Sequence, residues 1–155
     1  MLKWVRSAAR ALIIRNGELL AIRMQRVPDE VFYILPGGGQ RHGETLMDTL
    51  QRECREEIGT QVRAGEIAYV REYIGRHHHL RKLHKDFHQL EVVFHCELPE
   101  GVEPRPGRDH DKHQIGVEWL PLDQLQGMEF YPEVLKTLIV DGQVNTRHLY
   151  LGDIN

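Results

Sequence analysis

Residues 38–60, GGQRHGETLMDTLQRECREEIGT, constrain this chain more than any other stretch, because they join a glycine-rich turn to a capped helix with three clustered carboxylates. Thr45 stands at a helix-cap position, Asp48 follows at the capping-box spacing, and Gly59 is placed to end the helix. Between them Leu46, Leu50, Cys54 and Ile58 advance every four residues as one apolar stripe. At about 100° per residue, Glu53, Glu56 and Glu57 fall within roughly a quarter to a third of the circumference, beside that stripe. One side of the helix is expected to bury against a sheet while the adjacent side opens to a cleft.

Like charges three and four residues apart cost about 0.2–0.5 kcal/mol per exposed pair. A hard divalent cation, Mg²⁺ or Mn²⁺, relieves that repulsion and prefers carboxylate oxygens. A solvated acidic face balanced by Arg52 and Arg55 is the plainer account of the same charges. The surrounding pattern weighs against it.

The run resembles the Nudix box, the signature of hydrolases that cleave nucleoside diphosphates linked to another moiety. That pattern is Gly, five residues, Glu, seven residues, Arg-Glu, an aliphatic, any residue, Glu-Glu, any residue, Gly and an aliphatic. Gly38, Glu44, Arg52, Glu53, Glu56, Glu57 and Gly59 fill every glycine and charged position. The aliphatic positions hold Cys54 and Thr60, changes that remove no charged group. The resemblance implies an α/β/α sandwich with a mixed sheet, of the α/β (α+β) class, and a metal-dependent pyrophosphohydrolase using Mg²⁺ or Mn²⁺. It further implies Glu53, Glu56 and Glu57 as metal ligands, with Glu53 or Glu57 also orienting or deprotonating water. Arg52 is then expected to hold a box carboxylate, and Glu44 to be that partner or an outer carboxylate. A main-chain carbonyl of Gly37 or Gly38 would add a hard oxygen ligand.

Gly37, Gly38 and Gly39 permit positive backbone angles and close approach of main chain to a ligand. Arg23 and Arg26 are candidates for phosphate or ribose, and Phe32, Tyr73, Phe130 and Tyr131 for stacking on a base. Among later carboxylates, Glu91 is preferred over Glu97, Asp109, Asp111 and Glu118 as a further site residue. His77, His78, His79, His84 and His88 fall in a basic stretch that reads first as a solvated loop and second as a rim attracting phosphates.

The rest of the chain reads as one domain over residues 1–155. Runs at 7–14 and 18–24 flank Asn16-Gly17, a hairpin signal. A third strand is expected at 31–35, strands at 61–64 and 66–73, and another at 89–98 with Leu90, Val92, Phe94 and Cys96 facing the core. A proline-rich polar loop at 99–113 precedes a short strand at 117–120, a single helical turn at 122–125, a helix from Pro132 to residue 140 and a short strand at 148–151.

A net charge of −3 gives no footprint for a nucleic-acid polymer, so the expected partner is a small nucleotide. Two cysteines and no signal-length or membrane-length apolar segment lead to the expectation of a reduced, cytoplasmic protein away from membranes. For so small an enzyme a homodimer, through paired sheets or swapped N-terminal strands, is compatible with the sequence. The rival reading is a Nudix-fold module that binds a nucleotide for regulation without turnover. Erosion of the box carboxylates would mark it, and they are intact. No motif selects among ADP-ribose, nucleoside triphosphates, dinucleoside polyphosphates and nucleotide sugars.

Overall fold

Asn16 and Gly17 both take positive φ, 52° and 76°, and close a two-residue hairpin between β2 (Ile14–Arg15) and β3 (Glu18–Gln25). The hairpin is shorter on one side than the 7–14 run suggested. In the computed structural model, which describes residues 3–140 and 149–155, most of that run is β1 (Arg6–Leu12), a strand of a different sheet. Its small side chains, Ala8, Ala9 and Ala11, are fully buried where it lies between two neighbouring strands.

The first sheet runs β5-β1-β7-β6-β9 and is mixed. Here β5 is Gly37–Gly39, β6 Arg63–Ile74, β7 His88–Glu97 and β9 Tyr150–Asp153. β1 pairs in parallel with β7 and antiparallel with β5, and β9 joins β6 in parallel. In the second sheet β3 pairs antiparallel with β2, β4 (Val31–Ile34) and β8 (Gln114–Pro121).

The two sheets enclose two cores. α1 (Leu46–Ile58) places Leu50, Cys54 and Ile58 with Ala9, Ala11, Phe94 and Cys96 of the first sheet and Leu20, Ile22 and Met24 of the second. α3 (Glu133–Val140) places Leu135 and Ile139 with Leu12, Tyr69, Val93, Leu19, Ala21 and Leu120. Helices thus cover both sides, giving the expected α/β/α arrangement with its strands divided between two sheets. Cys54 and Cys96 are both free and buried in the first core.

Several expectations change. Residues 61–64 and 66–73 do not form two strands: β6 is continuous and absorbs irregular register between Ala64 and Tyr69. Leu90, Val92, Phe94 and Cys96 were expected to face the core, yet Gln89, Glu91 and Val93 on the other face of β7 are buried too, with Val93 in the second core. The histidine-rich stretch forms a 3₁₀ turn (Gly75–His77) and the short α2 (Arg81–His84). The turn at 122–125 extends as a 3₁₀ helix to Gly127. Of the strand expected at 148–151, His148 lies outside the described residues. No helix among the described residues is long and apolar enough to cross a membrane.

Candidate active site

Both ends of α1 are fixed. Thr45 Oγ1 accepts from Asp48 N at 3.1 Å and Asp48 Oδ2 accepts from Thr45 N at 2.9 Å, a complete capping box. At the other end Gly59 is left-handed, φ 74°. The chain after β7 then returns to the helix: Arg105 N, in the loop, donates to Ile58 O at 3.0 Å, and Gln114 Nε2, at the start of β8, to Glu57 O at 2.8 Å. These contacts hold the turn that carries the three carboxylates.

Arg52 organises the half-buried part of the box. Its Nε donates to Glu44 Oε1 at 2.6 Å, and its Nη2 to Glu44 Oε2 and Gly39 O, both at 3.0 Å. Its Nη1 donates to Glu53 Oε1 at 2.8 Å and lies 3.5 Å from Glu56 Oε2. Glu44 also accepts from Thr49 Oγ1 and from Arg41 N. The Arg52 hydrogen bonds, aided by those two donors, hold the Glu44 carboxyl at about 2, and Arg52 is raised in turn. Arg52 thus grips Glu44 and orients Glu53.

Glu57 has a different environment. It is 9% exposed, and its Oε2 accepts from Gly37 N at 2.8 Å. Burial pushes its carboxyl up to about 8; the Arg10 charge and the Gly37 N–H oppose that rise, while Glu53 and Glu56 add to it.

The three glycines form a strand and not the expected turn, and each is small for its own reason. Of the three, only Gly37 has positive φ, 139°, and a Cβ there would stand 2.2 Å from Ala9 O. At Gly38 a Cβ would stand 2.6 Å from Glu53 Cδ, so its absence makes the cradle for that carboxylate. At Gly39 it would meet the Arg6 guanidinium at 2.2 Å.

The donor set fits a hard divalent cation. Glu53 and Glu56 direct one oxygen to Arg52 and Glu57 directs one to Gly37, which leaves the second oxygen of each. Among the described residues no three His, Cys, Asp or Glu side chains converge as a group that could hold a metal ion. Mg²⁺ binds through one or two carboxylates with waters and substrate phosphates, so it needs no such group.

The other expected residues scatter. Glu91 is 1% exposed and lies between Arg10 Nε, 3.0 Å from Oε1, and Arg71 Nη2, 3.1 Å from Oε2. Arg23 sits across from Tyr33 on the second sheet, 3.5 Å from Glu118, and makes no hydrogen bond to a box residue among the described residues. Phe130 is fully buried and offers no face to a base. Phe32 and Tyr131 meet edge to face, with Arg26 over Phe32 and His79 stacked on Tyr131. The histidines are engaged: His77 and His78 bond Asp153, His84 bonds Tyr73, and His88 bonds Glu72. A hollow of about 280 Å³ adjoins Glu44, lined by Ser7 and residues 40–44. A larger one of about 460 Å³, near Arg63 and His95, is lined by no box residue, so size does not locate the site. Sequence reasoning missed Arg10 and Arg71. An arginine within the otherwise small and aliphatic 8–14 run was the available signal for Arg10.

The sequence profile of the NUDIX domain matches residues 4–138. The chain belongs to the Nudix family. Solved Nudix structures share its fold. A NUDIX hydrolase from Nitrosomonas europaea superimposes with a TM-score of 0.73 at 15% identity, over 94% of this chain and 93% of that one. An ADP-ribose pyrophosphatase from Streptococcus suis 89-1591 gives 0.66 at 18% identity, over 97% and 100%. A MutT protein from Methanosarcina mazei Go1 gives 0.67 at 21%, over 94% and 99%. No curated protein matches the chain.

Proposed function

We propose that the protein is a divalent-cation-dependent hydrolase that cleaves a phosphoanhydride bond in a small nucleoside diphosphate derivative. The observation that carries this reading is the intact acidic face of α1, with Glu53 cradled at Gly38 and Glu57 held at Gly37. Glu53, Glu56 and Glu57 would hold Mg²⁺ or Mn²⁺, together with the main-chain carbonyl of Gly37 or Gly38. When bound, the ion supplies neutralisation of charge on the phosphate oxygens. Arg52 keeps Glu53 pointed at the cleft and is itself held by Glu44. Glu57 accepts the proton of the attacking water as the new P–O bond forms, and the bridging P–O bond breaks toward the leaving phosphate. Held ionised by the cation, Glu57 is able to take that proton near neutral pH.

ADP-ribose-like compounds and nucleoside triphosphates are the substrate classes we favour equally. The similar proteins described as an ADP-ribose pyrophosphatase and a MutT protein support both. The test is a panel of nucleoside diphosphate derivatives incubated with Mg²⁺ or Mn²⁺, with products separated by chromatography. Metal-dependent release of two phosphorylated products is expected. Tight nucleotide binding without turnover of any compound would replace this reading with a binding module.

A further inference from the structure

Arg10 sits at the junction between the box and the middle of the first sheet. Its Nη1 donates to Leu35 O at 2.8 Å and to Gly37 O at 3.2 Å, and its Nε faces Glu91. Gly37 is therefore held from both sides, with its N–H on Glu57 and its carbonyl on Arg10. Behind Arg10, Glu91 also accepts from Arg71 and from Gln89 Nε2, and Arg71 Nη1 reaches Ile154 O at 2.7 Å. The strand register explains the assembly. Gly37 pairs with Arg10, and Glu91 pairs with both Ala8 and Arg71, so these side chains project from one face of three adjacent strands.

We propose that Arg10, braced by Glu91 and Arg71, is a positioning residue that sets the direction of the Gly37 carbonyl and of Glu57 for the cation. The inference rests on the metal-dependent reading above. A buried arginine whose only partner was the carboxylate of Glu91 would be a structural ion pair. Arg10 also has its guanidinium on the carbonyl of Gly37, the residue whose N–H bonds the box carboxylate Glu57. Lysine lacks the planar fork that reaches Leu35 O, Gly37 O and Glu91 together.

The test measures Mn²⁺ affinity directly, from the free-ion signal in electron paramagnetic resonance, alongside hydrolysis and thermal melting. R10K keeps a charge beside Glu91 but cannot reach all three partners, so it is expected to melt below the native protein while still folding, and to bind Mn²⁺ about tenfold more weakly, as is usual when an outer support of a metal ligand is lost. Its kcat should recover at saturating Mn²⁺ while KM for the nucleotide stays unchanged. E91Q leaves Arg10 in place but weakens its brace, so it should shift Mn²⁺ affinity in the same direction by a smaller factor. If R10K fails to fold, the E91Q result alone decides. Native Mn²⁺ affinity in whichever folded variant decides the case overturns the proposal. Absence of Mn²⁺ binding by the native protein, by contrast, removes the metal-dependent reading itself.

Discussion

Glu44 and Glu57 belong to one box, thirteen positions apart, and their surroundings drive them in opposite directions. Glu44 lies outside the helix, gripped by Arg52, Thr49 and the Arg41 N–H, and its carboxyl falls to about 2. Glu57 lies one position before the end of α1, buried against Gly37, and rises to about 8. The first has charge-assisted partners that favour its anion; the second has one main-chain donor and a distant cation against a large desolvation cost. The lesson is that the box is two devices. One end is a fixed ionic bracket, and the other is a carboxylate held short of full compensation, ready for a cation.

The largest effect expected from breaking this contrast is on turnover. Glu57→Gln should lower kcat by roughly 10²- to 10⁴-fold, the range for loss of a positioned proton acceptor, while the protein stays folded. Near-native kcat in a folded Glu57→Gln protein would remove Glu57 from the chemistry. A pair of glycine variants comes next in magnitude. Gly37→Ala places a methyl against the Ala9 main chain at positive φ, so it should cost more than about 1 kcal/mol of stability, read by urea melting. Gly38→Ala meets only the movable end of Glu53, so it should melt nearly as the native protein does and lose activity through displacement of that carboxylate. Equal stability losses in the two variants would contradict the separate reasons given for these glycines.

The same contrast marks what could be read from residues alone. The helix, its cap, its stop and its stripe were legible because every interaction that makes them lies within about four positions, where side-chain spacing decides who meets whom. The box glycines were read as a turn because glycine is poor in strands, yet β5 forms through pairing with Ala8, Ala9 and Arg10 of β1. Glu91 was visible as a carboxylate, but its partners Arg10 and Arg71 lie on neighbouring strands, and alternation along β7 could not reveal that both faces are covered. The histidines were illegible for the same reason. His77 and His78 find Asp153 some 75 residues away, across a strand pair no local pattern announces.

A titration sharpens the comparison with a smaller effect. Without metal, the native state keeps its proton on Glu57 up to about 8, whereas the unfolded chain releases it near 4.5. The contribution of Glu57 to stability is therefore present at low pH and lost as pH rises from about 4.5 to about 8. Glu44 has the opposite sign: its contribution is present above 4.5 and lost as pH falls toward 2. Melting temperatures with chelator, taken as native minus Glu57→Gln, should decline across the first window. Native minus Glu44→Gln should stay level there and move only below 4.5. A level Glu57 difference would mean that the site is already compensated without a cation.

The smallest expected effect tests whether the far end of α1 is separate from its chemistry. Thr45 caps the helix eight residues before Glu53, and Thr45→Ala removes the oxygen that accepts from Asp48 N. Loss of such a cap costs about 1 kcal/mol, or roughly 2–4 °C in a domain of this size. The Glu53–Glu57 turn keeps its own supports, Arg105 N on Ile58 O and Gln114 on Glu57 O, and the Arg52 fork is untouched. Activity per folded molecule should therefore be unchanged at temperatures well below the melt. A tenfold fall in kcat without a change in melting temperature would show that the cap reaches the carboxylates through Glu44, whose backbone adjoins it, and would merge the two devices into one.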